Sequence, residues 1–357
     1  MRPCGAFVVL LPSLLSERED ILVTVGVEQP RAAVARPWLL ADIGGTNARF
    51  GWLAEGGADV DHVANLRCAD HDGPTAAARA YLDNLAQQLG SGYSPPRAGA
   101  FAVATAVGGD EVRFTNNGWS FSRQQVQAEL GLGDLLLLND FEALALSLPC
   151  LRAAQLRPHG ALPPAHGTLA VVGPGTGLGV AGLVPTAHGW VAVAGEGGHS
   201  TLAAADDFEA ALLAAVRCEH THVSAERLLS GIGLPVLHRG VAAVLGQAAE
   251  PLSAEQIVER GLAASDVACS RSLDAFCALL GGFCGNVALT LGARGGVYIG
   301  GGIVPRLGDR FFQSAFRQRF VAKGRFEAYL QAIPTALITD TLAALTGAAQ
   351  ALHQHRR

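Results

Sequence analysis

The sequence predicts an α/β fold of two lobes, with duplicated β-hairpin phosphate loops, one from each lobe, around an interlobe cleft. Three observations predict it. LLLLNDFEALALSLP at 135–149 is an apolar run, as in a strand buried on both faces, that stops at Asn139-Asp140 and turns helix-like at once. WLLADIGGTNARFGWLA at 38–54 reads strand, Gly-rich turn, strand, and TLAVVGPGTGLGVAGLV at 168–184 reads the same way. Superposing Thr46 on Thr176 also pairs Gly45 with Gly175 and Leu53 with Leu183, as expected of a duplicated scaffold.

Residues 1–36 come first, as an extension. AFVVLLPSLL mimics the apolar core of a short signal peptide, yet no small-residue cleavage site follows it. The extension is expected to be a tail without fixed structure, the result of a start codon assigned too far upstream, or both; Met1 is the only methionine, so a later start would need a non-AUG codon. In the hairpin that follows, Gly44 and Gly45 permit positive φ and bring bare N–H groups close to an anion, and Thr46 adds a hydroxyl donor. Strands and helices then alternate as far as Asp140, at the carboxyl end of its strand, where open α/β sheets bind ligands. A carboxylate there is paired, hydrated or working; the bland alternative is an N-cap for the following helix.

The second hairpin opens the other lobe. GEGGH at 195–199 reads as a turn, and DDFEAALLAAVRCEH at 206–220 as a helix. SAERLLSG at 224–231 predicts a helix start, with Ser224 as cap and Glu226 in the first turn. A long apolar helix is expected over 272–293, and GGVYIGGGIVPR at 295–306 reads as a buried strand ending in three glycines. The lobes are expected at 37–150 together with 339–357, and at 151–338.

Rival phosphate loops fail on chemistry. A P-loop needs a lysine, and the only one is Lys323, in VAKGRF. The dinucleotide pattern GxGxxG fails because Leu178 holds the position required after Gly173 and Gly175.

The chain resembles the bacterial glucokinase family, hexokinase-type enzymes on the actin-like (ribonuclease H-like) ATPase fold. The resemblance rests on DIGGTNARF (42–50), FTNNGWSFS (114–122), LLNDFEALA (137–145), GPGTGLGVA (173–181), GEGGH (195–199), HVSAERLLSG (222–231), GGVYIGGGIVPR (295–306) and KGRF (323–326), in the family's order. It implies ATP-dependent phosphorylation of the 6-hydroxyl of D-glucose, the first step of glycolysis. Asp140 then matches the catalytic base, and Asn139, Glu196, His199 and Glu226 match the sugar contacts. Ala41, Asp42, Ile43, Gly44, Gly45, Thr46 and Asn47 match one nucleotide-binding segment, and Gly175, Thr176 and Gly177 a second. Gly300, Gly301 and Gly302 match the place of adenosine; close helix–strand packing is the plain alternative. Mg2+ is implied with the ATP, with Asp42 as its protein carboxylate through water. A cytoplasmic homodimer is implied as well.

Elementary chemistry agrees with these implied roles. A hexose offers adjacent hydroxyls that each donate and accept, which paired carboxylates and an imidazole complement. Phosphoryl transfer is mainly positioning and charge neutralisation, with one carboxylate aimed at the attacking hydroxyl. Three departures from the family pattern stand out: Ala106 where a proline is usual, TLAALTGAA at 341–349 without the usual Pro-Gly-Leu, and the extension.

Composition bounds the alternatives. With 357 residues, 50% apolar and 16% charged, the chain can bury two lobes. A net charge of −5 with no basic stripe argues against nucleic acid as a partner. Seven cysteines without a CxxC pair suit reduced thiols in a cytosol, and Cys277 and Cys284, seven apart, are expected to pack on one helix face. Gly281, Gly282 and Asn286 are expected to interrupt that helix, so no membrane span is expected. His220 and His222 are expected at the surface, and the Glu/His set matches no zinc spacing. Kinases for mannose, fructose or an amino sugar remain open, because 2-epimers differ at one hydroxyl. The ROK group is disfavoured because STLAAADD, without cysteine, follows His199. A non-enzymatic actin-like or DNA-binding relative would not need Asp140, and Pro12, Pro30 and Pro37 interrupt any helix-turn-helix in the extension.

Overall fold

Trp38–Ile43 (β1) turns straight back into Asn47–Leu53 (β2), with Trp38 opposite Leu53 and Ile43 opposite Ala48. Asp61–Arg67 (β3) pairs antiparallel with β2, and the helix Pro74–Leu89 (α1) starts on a proline, where a missing N–H costs nothing. Then come Ala98–Val103 (β4), the short hairpin Glu111–Arg113 (β5) and Ser120–Ser122 (β6), Arg123–Glu129 (α2), Asp134–Asn139 (β7) and Asp140–Ser147 (α3). The first sheet has the order β3-β2-β1-β4-β7, with β1, β4 and β7 parallel. Ile43 and Asn139 therefore end on the same carboxyl edge. The expectation of full burial for the Leu run holds only in part: β7 is the sheet's last strand, with Leu135 and Leu138 buried and Leu136 and Leu137 half-buried.

The second sheet uses Leu156–Pro158 (β8), Leu169–Pro174 (β9), Leu178–Thr186 (β10), Gly189–Gly195 (β11), Gly296–Ile299 (β12) and Thr335–Ile338 (β13), in the order β11-β10-β9-β12-β13-β8. Between β11 and β12 lie Asp207–Arg217 (α4), Leu234–Val244 (α5), Ala254–Leu262 (α6) and Val267–Leu291 (α7). After β12 come Ile303–Leu307 (α8), Asp309–Gln313 (α9), Phe316–Val321 (α10) and Glu327–Gln331 (α11), and Ala343–His355 (α12) closes the fold after β13. This is a computed structural model; it describes residues 37–54, 57, 59–105, 107–114, 118–162 and 166–356. The expectations for residues 1–36, Ala106 and Thr115, Asn116 and Asn117 lie outside them.

Helices α3 and α12 lie between the two sheets. One apolar cluster joins Leu40, Ala100 and Leu138 of the first sheet to Val171, Leu183 and Tyr298 of the second through Ala143, Leu146, Ala348 and Leu352 of the helices. A Cβ on Gly347 would overlap the Ala143 carbonyl oxygen, so the helix pair crosses backbone against backbone. At the junction leading into α12, Asp340 accepts from Leu342 N (2.9 Å) and Gln155 Nε2 (2.6 Å) in the absence of Pro-Gly-Leu.

Four expectations are corrected. First, Gly44 N donates to Asn47 O (2.9 Å) around a two-residue tip, whereas Gly175 N donates to Gly177 O (2.9 Å) around Thr176 alone. The second hairpin is thus one residue shorter. Leu53 still matches Leu183, but Gly175 matches Gly44 rather than Gly45. Second, Gly281, Gly282 and Asn286 do not interrupt α7, which runs unbroken from Val267 to Leu291. Cβ atoms at Gly281 and Gly285 would run into the backbone oxygens of Phe316 and Phe320, so these glycines admit α10 instead. The unbroken helix is long and apolar enough to cross a membrane by length and composition, but 67% of that stretch is buried inside the protein, as in a core helix. Cys277 and Cys284 are both buried on it. Third, Ser224 starts no helix: it bridges to Thr201, residues 225–233 form turns and bends, and Ser224 Oγ accepts from Arg227 N (3.2 Å). Fourth, His222 is exposed as expected, but the Nε2 of His220 is buried.

Candidate active site

The β7–α3 junction is built by a reciprocal cap. Asn139 Oδ1 accepts from Phe141 N (2.9 Å) and Glu142 N (3.4 Å), while Glu142 Oε2 accepts from Asn139 N (3.3 Å). Asn139 Nδ2 donates to Thr105 O (3.3 Å), which leaves one amide hydrogen for a ligand. Asn139, and not Asp140, is therefore the cap. Asp140 occupies the first helical position, with Oδ1 accepting from Phe141 N at 2.9 Å.

Burial is the main cause that raises the Asp140 carboxyl to about 6, and the charges of Asp42 and Glu196 add to it; the Phe141 amide opposes them. Asp42 comes from β1 of the first sheet and Glu196 directly follows β11 of the second, so charge from both sheets bears on Asp140. Asp42 is itself raised by burial, opposed by Arg49. Arg49 lies directly across β1–β2 from Asp42, with Nη1 3.8 Å from Oδ2, and donates also to Thr341 O. The place of Arg49 beside Asp42 follows from the strand register, which the hairpin tip sets.

Both hairpin tips present backbone amides with no partner among the described residues. Among the described residues, the amides of Gly45, Thr46, Thr176 and Gly177 meet no acceptor, and Thr46 and Thr176 are exposed. A Cβ on Gly175 would meet only open space. Gly300 N donates to Val172 O (2.9 Å), and Gly301, at φ +76°, approaches the Pro174 carbonyl, so the triple glycine abuts the base of the second hairpin. Gly300 also faces Leu144, so packing accounts for at least one of the three. Among the described residues no three His, Cys, Asp or Glu side chains converge on a point.

The remaining polar set is continuous with the second hairpin. Glu226 Oε2 accepts from Leu178 N (2.8 Å), its Oε1 lies 3.8 Å from His199 Nε2, and Glu226 N donates to Gly198 O (2.8 Å). Glu196 and His199 bracket the single turn Gly197–His199, and both are exposed. Asn139 and Asp140 thus lie at the β7–α3 junction, and Glu196, His199 and Glu226 lie beside the second hairpin.

The Glucokinase family model matches residues 39–355. The chain belongs to the glucokinase family. A glucokinase from Aromatoleum aromaticum is 49% identical over 317 residues, 88% of this chain and 94% of that one. One from Paramagnetospirillum magneticum is 48% identical over 313 residues, 87% of this chain and 96% of that one. The crystal structure of a glucokinase from an Antarctic psychrotroph superposes with a TM-score of 0.81 at 37% identity, covering 89% of this chain and 98% of that chain. The α/β fold is accordingly the two-lobed actin-like ATPase fold expected from the sequence. The ring of Phe141 lies against Gly173 and Gly179 at the base of the second hairpin.

Proposed function

We propose that Asp140 is the general base in ATP-dependent phosphorylation of the 6-hydroxyl of D-glucose, the reaction of the family to which this chain belongs. The observation that carries this reading is a buried carboxyl just past the carboxyl end of β7, raised to about 6, that accepts from the Phe141 amide and is not the helix cap. Such a group is ionised at neutral pH yet basic enough to take a proton as the alcohol attacks. The hydroxyl's proton passes to Asp140 as its oxygen bonds to the γ-phosphorus and ADP leaves.

Asn139 donates its remaining amide hydrogen to the sugar, and Glu196, His199 and Glu226 take the other hydroxyls. An analogue lacking a hydroxyl would strand one of these groups, which is the basis of selectivity. Ala41 to Asn47 and Gly175 to Gly177 hold the phosphates through amides and the Thr46 and Thr176 hydroxyls, with Gly300 to Gly302 beside the adenosine. Mg2+, when bound near Asp42, neutralises phosphate charge. Residues 37–150 with 339–357 are assigned to one lobe and 151–338 to the other, and closure between them would exclude water. The assembly is assigned as a cytoplasmic homodimer.

ADP release measured over a panel of hexoses tests the reading. Release that depends on glucose, and is faster with it than with mannose, fructose or glucosamine, is expected. Equal release without sugar would make the chain an ATPase, and a faster rate with another hexose would reassign the substrate.

A further inference from the structure

We propose that Phe141 is a positioning residue: its ring keys into a socket made by Gly173 and Gly179 and so sets the distance between the Asp140 carboxylate and the phosphate hairpin. This rests on the reading of Asp140 as base. Gly173 and Gly179 face each other across β9 and β10. A Cβ on Gly173 would lie 2.5 Å from Phe141 Cζ and 2.7 Å from Cε1, and one on Gly179 would overlap Cδ2 and Cε2. The ring therefore lies on the bare backbone of two paired strands, in a place only glycines leave free. These strands carry the tip at 175–177, two residues beyond each glycine.

The other end of Phe141 is equally tied. Its N–H is shared between Asn139 Oδ1 and Asp140 Oδ1, both at 2.9 Å. One residue thus holds the base through its amide and grips the second hairpin through its ring. The glycines of GPGTGLG divide accordingly. Gly173 and Gly179 serve Phe141, Gly177 leaves room for Glu226 Oε2, and Gly175 faces open space where a phosphate would lie. Misplacing a catalytic group by about 1 Å can cost on the order of 100-fold in rate while leaving ground-state contacts in place.

The test is a double-mutant cycle on the whole protein with Phe141→Leu and Gly179→Ala, measuring kcat and both KM values well below the unfolding temperature. Each single variant is expected to lose about 10- to 100-fold in kcat, with KM for glucose and ATP within about threefold of the parent. The double variant should be no slower than the slower single, because one contact has been broken twice. Losses that multiply, unchanged kcat in both singles, or a loss confined to the KM for ATP would overturn the proposal. Should one single variant fail to fold, the other decides by the same split between kcat and KM. Asp140→Asn is run alongside: near-normal turnover there would remove the base assignment itself, whatever the socket variants do.

Discussion

Replacing Asp140 by asparagine should make the resting protein more stable while nearly abolishing its turnover. Asparagine keeps an oxygen for the Phe141 amide and removes the charge that burial, Asp42 and Glu196 all disfavour. The carboxyl stands at 3.8 ordinarily and at about 6 in the fold. Below the lower value it is protonated in both states, and folding is indifferent to it. As pH rises between the two values the unfolded chain ionises first, so the folded wild type loses stability until the loss is complete above about 6. The full loss is at most about 3 kcal/mol, and roughly half of it has developed by about pH 5. At about pH 7.5 the variant should melt some degrees higher, about 4 °C for a domain of this size. Urea unfolding at several pH values between 5 and 8, without ligands, reads the growing difference; kcat should fall by about a thousandfold in the same preparation. A variant equally or less stable at pH 7.5, or one that turns over normally, would refute the reasoning.

Other substitutions separate the remaining roles. Gly177→Ala places a Cβ 2.5 Å from Glu226 Oε2, so KM for glucose should rise more than KM for ATP, as steady-state kinetics with each substrate varied would show. Asn139→Ala strips the cap from α3 and should cost about 1–2 kcal/mol in urea unfolding, with a raised KM for glucose; unchanged stability would contradict the cap. Gly347→Ala must part the two central helices at the Ala143 carbonyl and should cost about 3 kcal/mol or more, visible as a large fall in melting temperature. Thr46→Val and Thr176→Val should weaken ATP and leave glucose binding near normal by calorimetry; the opposite pattern would contradict the two-hairpin grip.

Much of this was legible because strands, turns and caps are written locally. The hairpins follow from glycine tips between apolar runs, and the β7–α3 junction from a Leu run meeting Asn-Asp. What could not be read belongs to tertiary packing. Gly281 and Gly282 look like helix breakers by propensity, costing about 1 kcal/mol each, yet α7 runs through both, and Gly281 is where α10 lies against it. Ser224 and Glu226 imitate a helix start, but Glu226 is drawn instead to the Leu178 amide, and the chain makes turns. Arg49 depends on strand register, and Phe141 on which face of a distant hairpin is bare. A loop one residue shorter in the second hairpin is invisible to a motif match that keeps Thr46 on Thr176.

The most direct measurement is a crystal structure with glucose and a non-hydrolysable ATP analogue. An Asp140 carboxylate oxygen within about 3 Å of the sugar's O6, in line with the γ-phosphate, is the expected result. If O6 instead meets another side chain or bulk water, with Asp140 turned away from it, Asp140 is not the base.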